Sequence, residues 1–244
     1  MKEQSLNLLG YAPLVNVSLC VSTLEKAMNR PAHLPGMVTF TGPSGFGKST
    51  AASVAANRFD AIYVAARSSW TRKAAHLAIL KEMAVVPAKT LYGMAEQVAE
   101  QLALSRKPLI VDECDYLVKN GTIEIIRDIY EASGAAIMLI GEENLPARLR
   151  QWERFHGRVL KFALAEPPSL EDTRALCDLY VEEAEIAEDL LTRVHKEAKG
   201  SIRRICVNLE YIREEAADNG LARIDLATWG SRPLFTGDAP SRRV

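Results

Sequence analysis

The chain has 244 residues, 48% of them hydrophobic and 25% charged, with 30 Lys+Arg against 31 Asp+Glu for a formal net charge of −1. This balance excludes a disordered, collagen-like or membrane-embedded chain. It suits one large domain, or a domain of about 150 residues with a smaller companion. The longest apolar run, Ala135–Ile140, falls well short of the roughly 18–20 residues of a membrane span. Met1-Lys2-Glu3-Gln4 leads into no signal-peptide core. Cys20, Cys114, Cys177 and Cys206 form no CxxC pair, which reads as reduced thiols in a cytosol and disfavours a zinc site or disulfide framework.

Residues 1–35 are read as an N-terminal segment contributing to a nucleotide pocket. From Met37 to Phe162, short apolar runs alternate with helical patterns. The expected strands are Met37–Thr41, Ala61–Ala66, Leu109–Val111, Ala136–Ile140 and Val159–Phe162. Between them the expected helices are Lys48–Asn57, Thr71–Val85, Thr90–Leu104, Thr122–Ser133 and Asn144–Trp152. Strands alternating with helices imply an α/β fold with a parallel sheet covered on both faces. Ligands of such folds bind beyond the carboxyl ends of the strands. This puts an α/β domain at 36–165.

Glu166-Pro167-Pro168 reads as a linker, since two prolines continue neither a strand nor a helix interior. Ser169-Leu170-Glu171-Asp172 opens a helix with a Ser cap and an acid three residues on. From there to about Asn219 the pattern is wholly helical, with Ile202, Ile205, Leu209 and Ile212 on one buried stripe. A small all-helical domain is expected at 166–228 and a loose, Gly/Pro/Ser/Arg-rich tail at 229–244.

Gly42-Pro43-Ser44-Gly45-Phe46-Gly47-Lys48-Ser49 fits G-x-x-x-x-G-K-[ST] between an expected strand and an expected helix. The glycines let backbone N–H groups turn around phosphate oxygens, and the helix N-terminus adds a favourable dipole. In this pattern Lys48 reaches the β- and γ-phosphates, Ser49 ligates Mg²⁺, and Thr50 follows on the first helical turn. Leu109-Ile110-Val111-Asp112-Glu113 is a buried strand ending in two acids. Asp112 suits Mg²⁺, and Glu113 can polarise a water for attack on the γ-phosphate, which points to ATP hydrolysis and away from a small-molecule kinase.

A phosphate loop, an Asp-Glu strand end and a trailing helical domain together resemble the AAA+ ATPases. The resemblance implies ATP held between the subunits of a homo-oligomer, with arginines from a neighbour and from the helical lid completing the site. Gly200-Ser201-Ile202-Arg203 is similar to the lid motif, which makes Arg203 the sensor arginine. The stretch Arg148–Arg158 occupies the place of a trans-acting finger, with Arg158 first and Arg154 second. After the fourth strand, Gly141 is followed by Glu142-Glu143-Asn144. Many relatives have a polar γ-phosphate contact here, and Asn144 is the substitute, since a carboxylate cannot donate to phosphate.

Within the superfamily, compact size, Ile140-Gly141-Glu142-Glu143-Asn144-Leu145-Pro146, the short lid and Ala66–Lys73 are similar to the DNA-transposition ATPases typified by the B protein of Mu-like phages. That resemblance implies filaments or rings on double-stranded DNA, a transposase partner, hydrolysis-driven disassembly, and a bacterial, phage or mobile-element setting. A helicase- or initiator-loader ATPase, or an ATP-binding switch without DNA, stays open beside it. The chain itself offers Arg67, Ser68, Ser69, Thr71, Arg72 and Lys73 as phosphate donors, with Trp70 as a stacking group. Arg58–Lys81, Arg148–Lys161 and Arg193–Arg204 each hold five basic residues against one acid, whereas Glu166–Leu190 holds nine acids and one arginine. Neutrality is therefore the sum of opposed surfaces, and the total charge does not argue against DNA.

Overall fold

The computed structural model describes residues 11–238. These divide into two compact units. One runs over Val17–Pro43 and Lys48–Ala165; the other gathers residues 11–16, Ser44–Gly47 and 166–238.

The larger unit is built on a five-stranded parallel sheet in the order β2-β3-β4-β1-β5. The strands are β1 (Met37–Thr41), β2 (Ile62–Ala65), β3 (Leu109–Asp112), β4 (Ile137–Gly141) and β5 (Val159–Leu164). Every residue of β1, β3 and β4 is buried, as inner strands covered on both faces require. The edge strands β2 and β5 are only partly buried. The expected parallel sheet flanked by helices is therefore present, and each strand lies within about two residues of its expected bounds.

The connecting helices are α1 (Val15–Met28), whose first two residues group with the other unit, then α2 (Lys48–Phe59), α3 (Arg72–Glu82), α4 (Leu91–Ser105), α5 (Asp115–Lys119), α6 (Glu124–Ser133), α7 (Leu145–Leu149) and α8 (Glu153–His156). Thr71 and Thr90 cap α3 and α4 by accepting from Ala74 N–H and Gly93 N–H. The single helix expected over Asn144–Trp152 is instead two short pieces, α7 and α8. The break falls at Gln151-Trp152, where Trp152 leaves helical geometry and its backbone N–H closes on Leu149.

The smaller unit contains α9 (Leu170–Tyr180), α10 (Glu188–Ala198), α11 (Ile202–Asp218) and α12 (Leu226–Trp229). Ser169 and Asp172 form the reciprocal cap at the start of α9. Asp172 also accepts from Val15 N–H at 2.9 Å. Ile205, Leu209 and Ile212 are fully buried, while Ile202 is only half-buried. The unit is not wholly helical. β6 (Glu185–Ile186) pairs in parallel with β7 (Arg223–Ile224), a pairing too short to show periodicity in sequence. The start of the expected loose tail is tied down. Leu234 is buried, and the buried amide of Asn208 bonds both the N–H and the C=O of Phe235. Residues 239–244 of that tail lie outside the described residues, as do residues 1–10 of the expected N-terminal segment.

Candidate active site

β1 runs directly into the phosphate-loop sequence, and α2 begins at Lys48. Gly45 and Gly47 have φ of +88° and +78°, a region closed to most side chains. A Cβ at Gly45 would stand 2.7 Å from Ser201 Oγ, and one at Gly47 would stand 2.7 Å from Ile202 Cδ1. The loop tip also accepts Ile202 N–H on Gly45 O at 2.8 Å. Buried Asn16 donates to Phe46 O at 2.8 Å and to Glu166 O at 2.7 Å. Both glycines are thus required by close packing as well as by backbone shape.

At the foot of the loop, the Lys48 ammonium donates to Gly42 O at 2.7 Å and to Pro43 O at 2.8 Å. Burial lowers its pKa, opposed by the carboxylates of Asp112, Glu113, Asp115 and Glu142. Ser49 and Thr50 are exposed on the first turn of α2.

β3 delivers the acids. Asp112 is 3% exposed, and both its oxygens are engaged: Oδ1 accepts from Glu113 N–H at 2.8 Å and Oδ2 from the Tyr63 hydroxyl at 2.9 Å. Glu113 follows at φ +54°, a left-handed backbone unusual for a non-glycine residue. Such strain persists where function needs the side chain aimed. Burial first, then Asp112 and Asp115, push the Glu113 carboxyl above its ordinary range, and Lys48 opposes them.

Sequence reasoning missed Asp115, Arg148 and Tyr63 as parts of this site. Asp115 is 2% exposed and accepts from Glu142 N–H at 2.7 Å and from Arg148 Nη1 at 2.9 Å. A side chain on Gly141 would collide with the Asp115 carboxylate. The signal for Asp115 was the Asp-Glu-Cys-Asp run itself, an acid two residues beyond Glu113. Nothing in the sequence marks Tyr63. Glu142, the residue that departs from the common pattern, gives its backbone to Asp115 and leaves its side chain exposed. Asn144 is exposed at the start of α7, where its side chain makes no capping bond.

The candidate arginines differ in their surroundings. Arg158 pairs with Glu131 of α6. Arg154, on α8, and Arg203, in the first turn of α11, are exposed and have no ion-pair partner among the described residues.

The basic loop after β2 leaves Arg67, Ser68, Ser69, Thr71, Arg72 and Lys73 exposed. Trp70 is not the free stacking group expected: it is half-buried against the core of the larger unit. Thr71 Oγ1 is committed to the cap of α3. Asn120, at the end of α5, donates to Ser68 O at 2.9 Å and fastens the loop to the segment that follows Glu113.

The donor set fits a magnesium nucleotide. Among the described residues, no three His, Cys, Asp or Glu side chains gather as a metal cage. Mg²⁺ does not need one, because it is ordinarily held by one or two protein oxygens, water and phosphates. The Ser49 hydroxyl would be such an oxygen, and the buried Asp112 carboxylate would accept from a metal-bound water.

Residues 32–149 match the protein family described as an AAA domain. That stretch lies within the α/β part of this chain, whose parallel sheet flanked by helices is a P-loop fold similar to that of this family. Solved structures with the same fold include Cdc6p from Pyrobaculum aerophilum, with a TM-score of 0.61 and 14% identity, over 85% of this chain and 62% of that one. Orc1 of Aeropyrum pernix, solved in complex with DNA, has a TM-score of 0.59 and 20% identity, over 87% of this chain and 62% of that one. Domain III of the replication initiation protein DnaA from Thermotoga maritima has a TM-score of 0.57 and 17% identity, over 90% and 91% respectively. At such identities the likeness is one of fold. This chain spans about three fifths of the length of the Cdc6p and Orc1 chains. No curated protein matches it. Among the described residues, no helix is long and apolar enough to cross a membrane.

Proposed function

We propose that the protein is an ATPase that binds duplex DNA without reading its sequence, and that does so when loaded with ATP. The observation that carries the hydrolytic half is Glu113, held in a left-handed backbone just past β3 with its N–H on the Asp112 carboxylate. In this reading Lys48 leaves its loop carbonyls for the β- and γ-phosphates, and Ser49 and Asp112 hold Mg²⁺. The metal neutralises charge on the phosphates. Glu113 orients the attacking water and takes its proton, and its raised affinity for a proton suits it to that role. Ser44, Gly45, Phe46 and Gly47 present backbone N–H groups, Gly42 and Pro43 lead the chain from β1 into the loop, and Thr50 and Asn144 stand as further polar contacts. Arg203 is the lid sensor. Arg154 becomes the better finger, because Arg158 is already paired with Glu131.

Support for the DNA half comes from Arg72 and Lys73. They sit in the first turn of α3, where no acid accompanies them and the helix dipole disfavours cations. An anion lying there removes that conflict, and Arg67 and Ser68 on the preceding loop extend the same face. Backbone contacts of this type give sequence-independent, salt-sensitive binding.

The finer form of this reading is a homo-oligomer with ATP at its subunit interfaces, forming filaments or rings on DNA and delivering target DNA to a transposase, with hydrolysis driving disassembly. It rests on the segments Ile140–Pro146 and Ala66–Lys73. A loader or initiator role is the second reading. It is favoured by the similarity to Orc1, solved in complex with DNA, and to the replication initiation protein DnaA. Retention of duplex DNA in ATP but not in ADP, declining steeply with salt, tests the common core of both readings. Equal retention with either nucleotide, or none, would sink it. Stimulation by a transposase or by a helicase separates the two finer forms.

A further inference from the structure

The Asp112 carboxylate is fixed from two sides, and one of those sides is a tyrosine hydroxyl on a different strand. β2 and β3 pair in register, Tyr63 with Ile110 and Ala65 with Asp112. Tyr63 thus lies two residues short of Asp112 along the sheet, on the same face. That offset, about 6.6 Å at strand rise, is spanned by the tyrosine ring and its hydroxyl. The result is the 2.9 Å bond from Tyr63 Oη to Asp112 Oδ2, opposite the 2.8 Å bond from Glu113 N–H to Oδ1.

Each carboxylate oxygen has a second lone pair, so one donor on each leaves both able to accept from a metal-bound water. What the two donors remove is rotation of the carboxylate plane. A phenylalanine would fill the same place on β2 equally well. The hydroxyl is a polar group in an apolar strand, a cost unless it is bonded. A phenol hydroxyl can donate and a carboxylate oxygen can only accept, so the direction of the bond is fixed. Groups that orient a metal's ligands commonly change metal affinity about 10–100-fold when removed.

We propose that Tyr63 is a positioning residue for the magnesium–nucleotide site: its hydroxyl holds the Asp112 carboxylate in the orientation from which it takes a metal-bound water. This rests on the nucleotide reading above and adds a residue that neither the phosphate-loop pattern nor the acidic strand end contains.

The test is Tyr63→Phe in the full chain, with a fluorescent ATP analogue titrated first in EDTA and then against rising Mg²⁺. Affinity in EDTA should match wild type. The Mg²⁺ concentration giving half of the metal-dependent gain should rise about tenfold, and turnover should recover at saturating Mg²⁺. Mn²⁺ bound with the nucleotide should show a changed electron paramagnetic resonance spectrum. Tyr63→Leu, which also removes ring packing, separates stability from positioning: it should lower the melting temperature, whereas Tyr63→Phe should not. Identical Mg²⁺ dependence in wild type and Tyr63→Phe would overturn this proposal alone. A wild type with no Mg²⁺-dependent nucleotide binding would overturn the nucleotide reading, and the proposal with it.

Discussion

Arg148 Nη1 donates to Asp115 Oδ1 at 2.9 Å, and this bond ties α7 to the acidic end of β3. The Asp115 side chain is 3% exposed and that of Arg148 33%. Removing the cation leaves a buried carboxylate close to Glu113 with Glu142 N–H as its remaining donor. Arg148→Ala should therefore destabilise the protein by about 2 kcal/mol. That is less than the roughly 3–5 kcal/mol of a fully buried pair, because solvent reaches the guanidinium. Urea unfolding of the nucleotide-free protein measures it, and a change under about 0.5 kcal/mol would show that Arg148 is dispensable.

Gly141 has no room for a methyl group. A Cβ there meets Leu145 Cδ2 at 2.7 Å and the Asp115 carboxylate more closely still. Gly141→Ala is expected to cost about 1–3 kcal/mol by overpacking. It should also slow hydrolysis, because Asp115 must move away from Glu142 N–H. Wild-type stability and turnover together would contradict the crowding.

Glu113→Gln should keep nucleotide binding and reduce turnover by about 100-fold or more. Its stability follows from the raised pKa. A carboxyl raised by folding contributes stability that is full below the ordinary Glu range and lost as pH rises through the folded value. The amide cannot ionise and so avoids that loss. Without nucleotide, Glu113→Gln should be at least as stable as wild type near about pH 8, the difference closing toward about pH 4. Glu113→Gly should gain about 1 kcal/mol by relieving the left-handed backbone, while abolishing turnover. Chemical unfolding at the two pH values checks both variants.

Lys48→Ala separates loop shape from loop chemistry. Ligand at about 100 times its dissociation constant should stabilise wild type by about 2.7 kcal/mol. The variant should show no ATP-dependent shift in melting temperature while its own nucleotide-free transition stays cooperative. A preserved ATP shift would remove Lys48 from the site.

Replacing Arg67, Arg72 and Lys73 by Ala one at a time should make DNA binding less sensitive to salt. The slope of log binding constant against log salt should shrink by about 0.9 for each phosphate that a substitution leaves unneutralised. Trp70→Phe should leave DNA affinity unchanged, since Trp70 packs against the core. A fall in affinity without loss of stability would restore Trp70 as a stacking group.

The sheet, the phosphate loop and the acids at the end of β3 were legible because each is written in contiguous residues. Inner strands buried on both faces are mostly apolar, a glycine-rich turn has glycine where φ is positive, and an apolar run ending in Asp112-Glu113 places those acids at the strand's end. The α7–α8 break and the β6–β7 pair were not legible. Four- and five-residue helices and two-residue strands are shorter than the periodicity that would reveal them.

The sequence by itself determined which candidate groups stand where: Lys48 and Ser49 directly after the glycine-rich turn, and Asp112 and Glu113 at the end of a buried strand. Only the tertiary structure decided how those groups are held. Tyr63 reaches Asp112 across 49 residues of chain, Arg148 reaches Asp115 across 33, and Asn120 reaches Ser68 across 52. Such partners depend on strand order, register and the offset along a parallel sheet, and no local pattern encodes those. The same reason left Trp70, an expected DNA-stacking group, half-buried against the core of the larger unit. An indole within a basic run reads the same in sequence whether it stands free in solvent or packs against a core, and tertiary packing alone decides between them.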